Sequence, residues 1–456
     1  MTQPPKAKLS KGRPSARPAS AGPTASVAEA SAKISAARAA AFDILIRVGE
    51  GKGHSDELLH SPRTDALSPE DRNLATALVM GVLRWQIALD ARLAKLLARP
   101  EQRLAGPVAL ALRMGAFQLL HLDRIPPHAV LNESVELCHA AGQPHAAGMV
   151  NAVLRKLAAA QKPGTRTFES PAAFAERLGH PRWLVERWVA AYGREAALAI
   201  CEYDQCEQHA GGLFMEEQAD AGHDAPQMDD GSRLVAELAA TALPFTGDRA
   251  PRVWDCCAAP GGKTLLLARR LAGADLLATD VSARRMAQMR TRLKQFTYAE
   301  RVRCEVMDAA AEGDADSDEK FDLILCDVPC SGTGTLARNP EIRHLLRVED
   351  LQRQAARQRA ILNGALRRLA PGGRLVYSTC SLEPEENEQV VEAVAAEAGL
   401  RRVPVEPLIA KLEAAKILSA ETAASLARSA VRNGALRTLP GVLPCDGFFA
   451  AVLERG

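Results

Sequence analysis

With 456 residues the chain is too long for one ordinary core, and a length prior of about 150 residues per domain points to two to four domains. Its composition, 47% apolar and 25% charged, is that of a globular protein, and no run of about 18 uninterrupted apolar residues offers a membrane span. A net charge of +2 leaves polyanion binding to local clusters of basic residues, and ten cysteines without a secretory leader are expected to stay reduced, as in the cytoplasm.

Residues 1–26 are rich in Pro, Ala and Ser, contain no Asp or Glu, and carry Lys6, Lys8, Lys11, Arg13 and Arg17. Residues 1–33 are therefore expected to form a disordered basic tail, either a solubilising extension or a weak contact to a nucleic-acid backbone. Its prolines are incompatible with the amphipathic helix of an organellar transit peptide.

A helical pattern follows over residues 34–162. Phe42, Leu45 and Ile46 share a face, and Ser68-Pro69-Glu70-Asp71 supplies an N-cap, a first-turn proline and dipole-favourable acids ahead of Leu74, Leu78 and Val82. Helices are predicted over 108–120 and across 130–157, divided from each other by the turn at Pro126-Pro127, so an all-α domain is expected. Residues 163–248 carry less periodicity: helices are predicted at 181–192 and 232–240, with a loop-rich connector over 206–231.

From residue 252 short apolar runs alternate with helical stretches, the signature of a parallel α/β sheet. Strands are predicted at 252–256, 275–279, 302–306, 321–326, 374–377 and 448–453. Helices are predicted at 264–271, 282–294 and 348–369, the last stopped by Pro371-Gly372-Gly373. The acidic segment 312–319 reads as a solvated loop.

Directly after the first strand comes Asp255-Cys256-Cys257-Ala258-Ala259-Pro260-Gly261-Gly262-Lys263-Thr264. Small residues let a ligand approach the backbone, and the amides opening the next helix favour a carboxylate or phosphate. The Pro-Gly-Gly-Lys-Thr run is not a phosphate-binding Walker loop, because Cys257 occupies the position where that motif requires its first glycine. Asp280 closes the second strand, where an acid can accept from both hydroxyls of a ribose, and Asp308 follows the third, where it could face an adenine amino group. Either alone could be a turn or cap carboxylate. Together with Asp327 after the fourth strand they suggest one shared site, and S-adenosylmethionine carries a ribose, an adenine and a carboxylate to match.

Two cysteines end the next strands, in Asp327-Val328-Pro329-Cys330 and Ser378-Thr379-Cys380-Ser381. Cytosine C5 is a poor nucleophile until something adds to C6, and a thiolate suits that reversible addition. A second base must then remove the C5 proton, and an acid near the ring nitrogen would stabilise charge during addition. Asp327, Cys330 and Cys380 could divide these three roles. Cys138, Cys201, Cys206, Cys304 and Cys326 read as small buried hydrophobes, and no cysteine spacing matches a paired zinc knuckle, so no metal is expected.

The 255–264 run, Asp280, Asp308, Asp327-Val328-Pro329-Cys330-Ser331-Gly332-Thr333-Gly334 and Tyr377-Ser378-Thr379-Cys380-Ser381-Leu382-Glu383-Pro384-Glu385-Glu386-Asn387-Glu388 resemble the RNA 5-methylcytosine methyltransferases of the NOL1/NOP2/sun family. The resemblance implies a class I, Rossmann-like S-adenosylmethionine-dependent methyltransferase domain over residues 249–456. Cys257, Ala258, Ala259, Pro260, Gly261, Gly262, Lys263, Asp280, Asp308 and Asp327 would line the cofactor site, Lys263 and Asp327 would also serve the reaction, Cys380 would be the nucleophile and Cys330 would assist release. Leu112-Arg113-Met114-Gly115-Ala116-Phe117-Gln118-Leu119-Leu120, Ile125-Pro126 with Asn132-Glu133-Ser134-Val135, and Val150-Asn151-Ala152-Val153-Leu154-Arg155 are similar to the NusB-like domain of the bacterial RsmB group. That similarity implies 16S ribosomal RNA as partner, with no membrane and no obligate protein partner. The group usually carries an RRM-like segment between its two domains. Here 206–231 is short, and Met228 stands where a glutamine would be expected, so the RNA-docking segment reads as abbreviated.

Arg343, Arg347, Arg353 and Arg357 are candidates for RNA contact or for a solvated helix face. Two other readings differ in kind: a DNA-type mechanism with Cys330 as nucleophile, and a non-catalytic RNA-binding assembly factor that keeps a methyltransferase fold.

Overall fold

A computed structural model describes residues 34–101, 103–160, 170–206, 211–215, 226–244, 248–311 and 319–455. The expected basic tail, all but the end of the acidic segment and much of the 206–231 connector lie outside the described residues.

The first body is helical. Helices Ala36–Gly49, Pro69–Ala94, Gly106–His121, Pro127–Ala140 and Ala147–Ala159 enclose a core that includes Phe42, Leu78, Val82, Leu112, Phe117 and Leu154. Ser68 caps the second of these as its sequence predicts, its Oγ accepting from the Asp71 amide at 3.1 Å. Helix Pro69–Ala94 is long and apolar enough to cross a membrane by composition alone. Its apolar face instead packs on helices Ala36–Gly49 and Gly106–His121. The pattern predicted across 130–157 is two helices, because the chain turns through left-handed Gly142 and Pro144. Arg38 is buried and donates to Gln118 at 2.7 Å and Glu133 at 2.8 Å, so two polar residues of the NusB-like motifs serve as an internal clamp.

Residues 170–206 are more ordered than their weak periodicity suggests. Helices Pro171–Arg177, Arg182–Tyr192 and Arg194–Tyr203 gather Phe174, Leu184, Trp188 and Ile200 into a core of their own, which takes in Leu336, Leu382 and Leu439 from the C-terminal region. Helix Asp230–Ala242 packs into the core on one face of the sheet, so the sheet's packing begins before its first strand.

The strands are β1 (Arg252–Asp255), β2 (Asp275–Asp280), β3 (Arg303–Val306), β4 (Phe321–Asp327), β5 (Leu369–Thr379), β6 (Arg401–Val403), β7 (Val431–Arg432), β8 (Ala435–Arg437) and β9 (Phe449–Glu454). Their order is β3-β2-β1-β4-β5-β9-β8-β7, with β6 also on β9. The first five run parallel, but β9 is antiparallel to β5, which makes the sheet mixed where the sequence pattern predicts a parallel one. Helix Val348–Arg367 stops before Pro371-Gly372-Gly373, and that turn lies inside the long β5. Leu369 already pairs with Phe321, and the register shift between Phe321 and Leu323 absorbs the turn. Strand order reverses between β1 and β4, and in open α/β sheets the crevice beyond such a reversal is where ligands bind.

The helical body is joined to the sheet domain through the segment after β4. The Ser55 amide and Oγ donate to buried Glu341 at 3.1 and 2.8 Å, and Arg84 donates to the Ala337 carbonyl at 2.9 Å. Burial lowers the His344 pKa to about 4, which leaves a neutral ring to donate from Nε2 to the Leu83 carbonyl at 2.7 Å. Arg343, a candidate RNA contact from sequence, is only 3% exposed and donates to the carbonyls of Arg84 and Gly179 at 3.0 and 3.2 Å. It closes the seam between bodies and is removed from the RNA-contact candidates. Arg347, Arg353 and Arg357 are exposed.

Candidate active site

Pairing of β4 with β5 aligns Asp327 with Ser378. Two parallel strands ending in step release their following loops side by side, and these loops bring Cys330 and Cys380, 50 positions apart, to an Sγ···Sγ distance of 3.4 Å. The approach is close throughout. The Gly334 amide donates to the Cys380 carbonyl at 2.9 Å, and a Cβ at Gly334 would stand 2.1 Å from the Gly447 carbonyl oxygen, so only glycine fits. The Cys380 sulfur and then burial push the Cys330 thiol well above the ordinary cysteine range.

Lys263 reaches this point from the start of helix Gly262–Arg270. Its Nζ lies 2.8 Å from Asp327 Oδ2, and Ser378 donates to Asp327 Oδ1 at 2.7 Å. Burial works against the ammonium charge, but the adjacent Asp327 carboxylate outweighs it and holds the Lys263 pKa above the usual lysine value. The sequence candidates Cys380, Cys330, Asp327 and Lys263 thus form one cluster.

Beside it opens a cleft of about 190 Å³. The loop residues Cys257, Ala258, Ala259, Pro260, Gly262 and Lys263 line it together with Asp255 and Asp327. Gly261 turns the chain into the helix at φ +97°. Asp280 and Asp308 do not line this cleft. The Asp280 carboxylate is buried, accepts from the Ser282 amide at 2.9 Å and pairs with Arg285 at 3.1 Å, and exposed Asp308 accepts from the Ala310 amide at 2.9 Å. Each carboxylate holds the turn after its strand, a contact compatible with the cofactor-facing role expected from sequence.

Asp255 opens the 255–264 run, but local sequence assigns it no role of its own. It is 1% exposed; one oxygen accepts from Thr264 Oγ1 at 2.7 Å, and Oδ1 is buried without a hydrogen-bond partner. A helix start that favours anions, next to an unsatisfied carboxylate oxygen, suits the amino-acid end of S-adenosylmethionine, which carries both signs of charge. The donor set therefore fits that cofactor. Met228, which stands in sequence where a glutamine would be expected, and Arg292 also line the cleft. Among the described residues, no group of three or more His, Cys, Asp or Glu side chains is arranged to hold a metal ion.

Burial raises the Asp255 pKa from the ordinary carboxylate value to about 7, against the Thr264 hydrogen bond, which lowers it. An acid with a folded pKa above its unfolded one binds more protons folded, so it costs stability as pH rises between the two values. Unliganded protein should therefore lose about 3 kcal/mol between pH 4 and pH 7 from this group, a loss that Asp255→Asn removes. Urea denaturation across that range checks it; an unchanged slope in the variant refutes the assignment.

Comparison with known proteins agrees with both halves of the molecule. The family described as 16S rRNA methyltransferase RsmB/F matches residues 243–454, and the NusB family matches residues 35–159. The chain is 32% identical to the ribosomal RNA small subunit methyltransferase B of Xanthomonas campestris, over 94% of this chain and 99% of that protein. It is 31% identical to the protein of the same name from Klebsiella pneumoniae, over 89% of this chain and 95% of that protein. The crystal structure of PH0851 shares the fold, with a TM-score of 0.67 at 20% identity over 92% of this chain and 99% of that one. With a helical NusB-like body fastened to a methyltransferase sheet, and relatives aligned across nearly their whole length, the chain belongs to the 16S rRNA methyltransferase RsmB/F family.

Proposed function

We propose that this chain methylates C5 of a cytosine in RNA, with 16S ribosomal RNA as the substrate, in the cytoplasm. The observation that carries the reading is the pair of thiols 3.4 Å apart beside the Lys263–Asp327 ion pair, at the mouth of a cleft suited to S-adenosylmethionine. When bound, that cofactor supplies an electrophilic methyl group.

In this reading the loop 257–263 and Asp255 hold the cofactor's amino-acid end. Cys380 Sγ adds to cytosine C6 as a thiolate, which makes C5 nucleophilic. Asp327 and Lys263 face the polar edge of the ring and stabilise charge there while the sulfur–carbon bond forms. After methyl transfer C5 carries both a proton and the new methyl group. Once Cys380 is bonded to C6, its sulfur no longer holds the Cys330 thiol protonated; Cys330 gives its proton to solvent and, as thiolate, takes the proton from C5, the electron pair reforms the C5–C6 double bond and Cys380 leaves as thiolate. The helical body and the exposed Arg347, Arg353 and Arg357 contribute contacts to the RNA backbone.

Purified protein given labelled S-adenosylmethionine and 16S RNA from cells lacking this protein should transfer label to a cytosine that then resists bisulfite conversion. Label that appears with no bisulfite-resistant position refutes C5 as the target. Binding of the RNA without any transfer favours a non-catalytic assembly factor.

A further inference from the structure

Behind the two thiols lies a carboxylate to which the methyl-transfer chemistry assigns no role. Glu386 is completely buried, in the Pro384-Glu385-Glu386-Asn387 turn after Cys380. A buried carboxylate is tolerated only when donors surround it, and this one is surrounded. Its Oε1 accepts from the Ser331 amide at 2.8 Å and from Gln358 Nε2 at 3.0 Å. Its Oε2 accepts from Ser331 Oγ and, at 2.5 Å, from Ser381 Oγ. Ser331 directly follows Cys330 and Ser381 directly follows Cys380, so one carboxylate grips the residue after each thiol. Gln358 extends the grip by donating also to the Pro329 carbonyl at 3.0 Å, on the other side of Cys330. The next residue, Asn387, accepts from Thr379 Oγ1 at 2.6 Å and donates to the Ser381 carbonyl at 2.9 Å, which fixes the backbone on both sides of Cys380.

We propose that Glu386 is a positioning residue that sets the separation and orientation of the two thiols by fastening both of their loops. The proposal rests on the two-thiol reading above and adds what holds the thiols in register. Loops that follow different strands drift independently unless something spans them, and shifts of about 1 Å are enough to slow a reaction about a hundredfold. The carboxylate suits the task because all four contacts donate to it, and its negative charge is among the influences that keep the Cys330 thiol protonated at rest. Glutamine keeps the shape but turns an NH2 group toward donors, loosening the grip without opening a cavity.

The test compares Glu386→Gln with the unaltered full chain. We expect kcat to fall by about tenfold or more while KM for S-adenosylmethionine and for RNA stays within about threefold, and a denaturation-resistant protein–RNA adduct to accumulate, because Cys330 no longer reaches the adduct formed by Cys380. Ser381→Ala, which removes one of the links, should give a smaller drop in the same pattern. A kcat within about threefold of the parent, a loss matched by weaker cofactor binding in calorimetry, or no excess adduct overturns the proposal. Alkylation of RNA-free protein by iodoacetamide separates this outcome from failure of the C5 reading. Glu386→Gln should change the ratio of Cys380 to Cys330 modification whatever reaction the site performs, and an unchanged ratio refutes the positioning role.

Discussion

Replacement of Cys380 by alanine is expected to reduce methyl transfer by about 10⁴-fold or more while S-adenosylmethionine binding is retained. The Cys380 carbonyl, not its thiol, holds the Gly334 amide, so alanine preserves the loop and removes only the sulfur. Cys330→Ala should fail differently. The addition to C6 and the transfer proceed, the C5 proton has no acceptor, and the RNA stays attached to the protein. Denaturing gels with labelled RNA distinguish the two: adduct with Cys330→Ala and none with Cys380→Ala. The reverse pattern would make Cys330 the nucleophile and overturn the division of labour proposed above.

The second large effect is expected at Asp327. Removing one partner of a largely buried ion pair leaves the other charge uncompensated, so Asp327→Ala should cost about 3 kcal/mol through the stranded Lys263 ammonium. It should also slow methyl transfer by about 10²–10⁴-fold through loss of the group facing the ring. Pairing the change with Lys263→Met separates the two contributions, because a methionine of similar length fills the space with no charge to strand. Chemical denaturation should find most of the stability restored in the double variant, while the methyl-transfer assay finds no recovery. Recovered activity would reduce Asp327 to a partner for Lys263 with no role of its own.

Much of this site is legible along the chain because chemistry at the end of a strand is written locally. The run 255–264, Asp327 to Cys330 and Thr379-Cys380 each combine a short apolar stretch with the residue types that covalent transfer needs, and the structure gathers all three into one crevice. The two strand-end acids Asp280 and Asp308 were less readable. An acid after a strand can bind a ribose, cap a turn or do both, and local sequence does not say which partners its carboxylate meets; here Asp280 meets Arg285 and Asp308 meets the Ala310 amide. Arg343 shows the same limit, since a basic residue in a short helix looks exposed until the partner surface is known.

The middle helices show the same limit on a larger scale. The apolar surface of residues 170–206 is completed by Leu336, Leu382 and Leu439 from far along the chain, a partner surface that local sequence does not show. Their polar side braces the loop after Cys380. Arg187 donates to Glu383 at 2.8 Å and Glu385 at 2.6 Å, Trp188 donates to Glu383 at 3.0 Å, and the Tyr192 hydroxyl donates to the Leu382 carbonyl.

By itself, the amino-acid sequence determined the helical body, the α/β sheet, the small-residue loop after the first strand and the two strand-end thiols, because hydrophobic period, capping residues and strand-end chemistry are properties of neighbours in the chain. Tertiary structure decided the direction of the last strands, the seam between bodies and the bracing of Cys330 and Cys380 by Glu386. Those depend on buried charges finding donors 28 to 286 positions away, at Gln358, Ser331 and Ser55, and the cost of leaving any of them unpaired is paid only once the chain has closed around it.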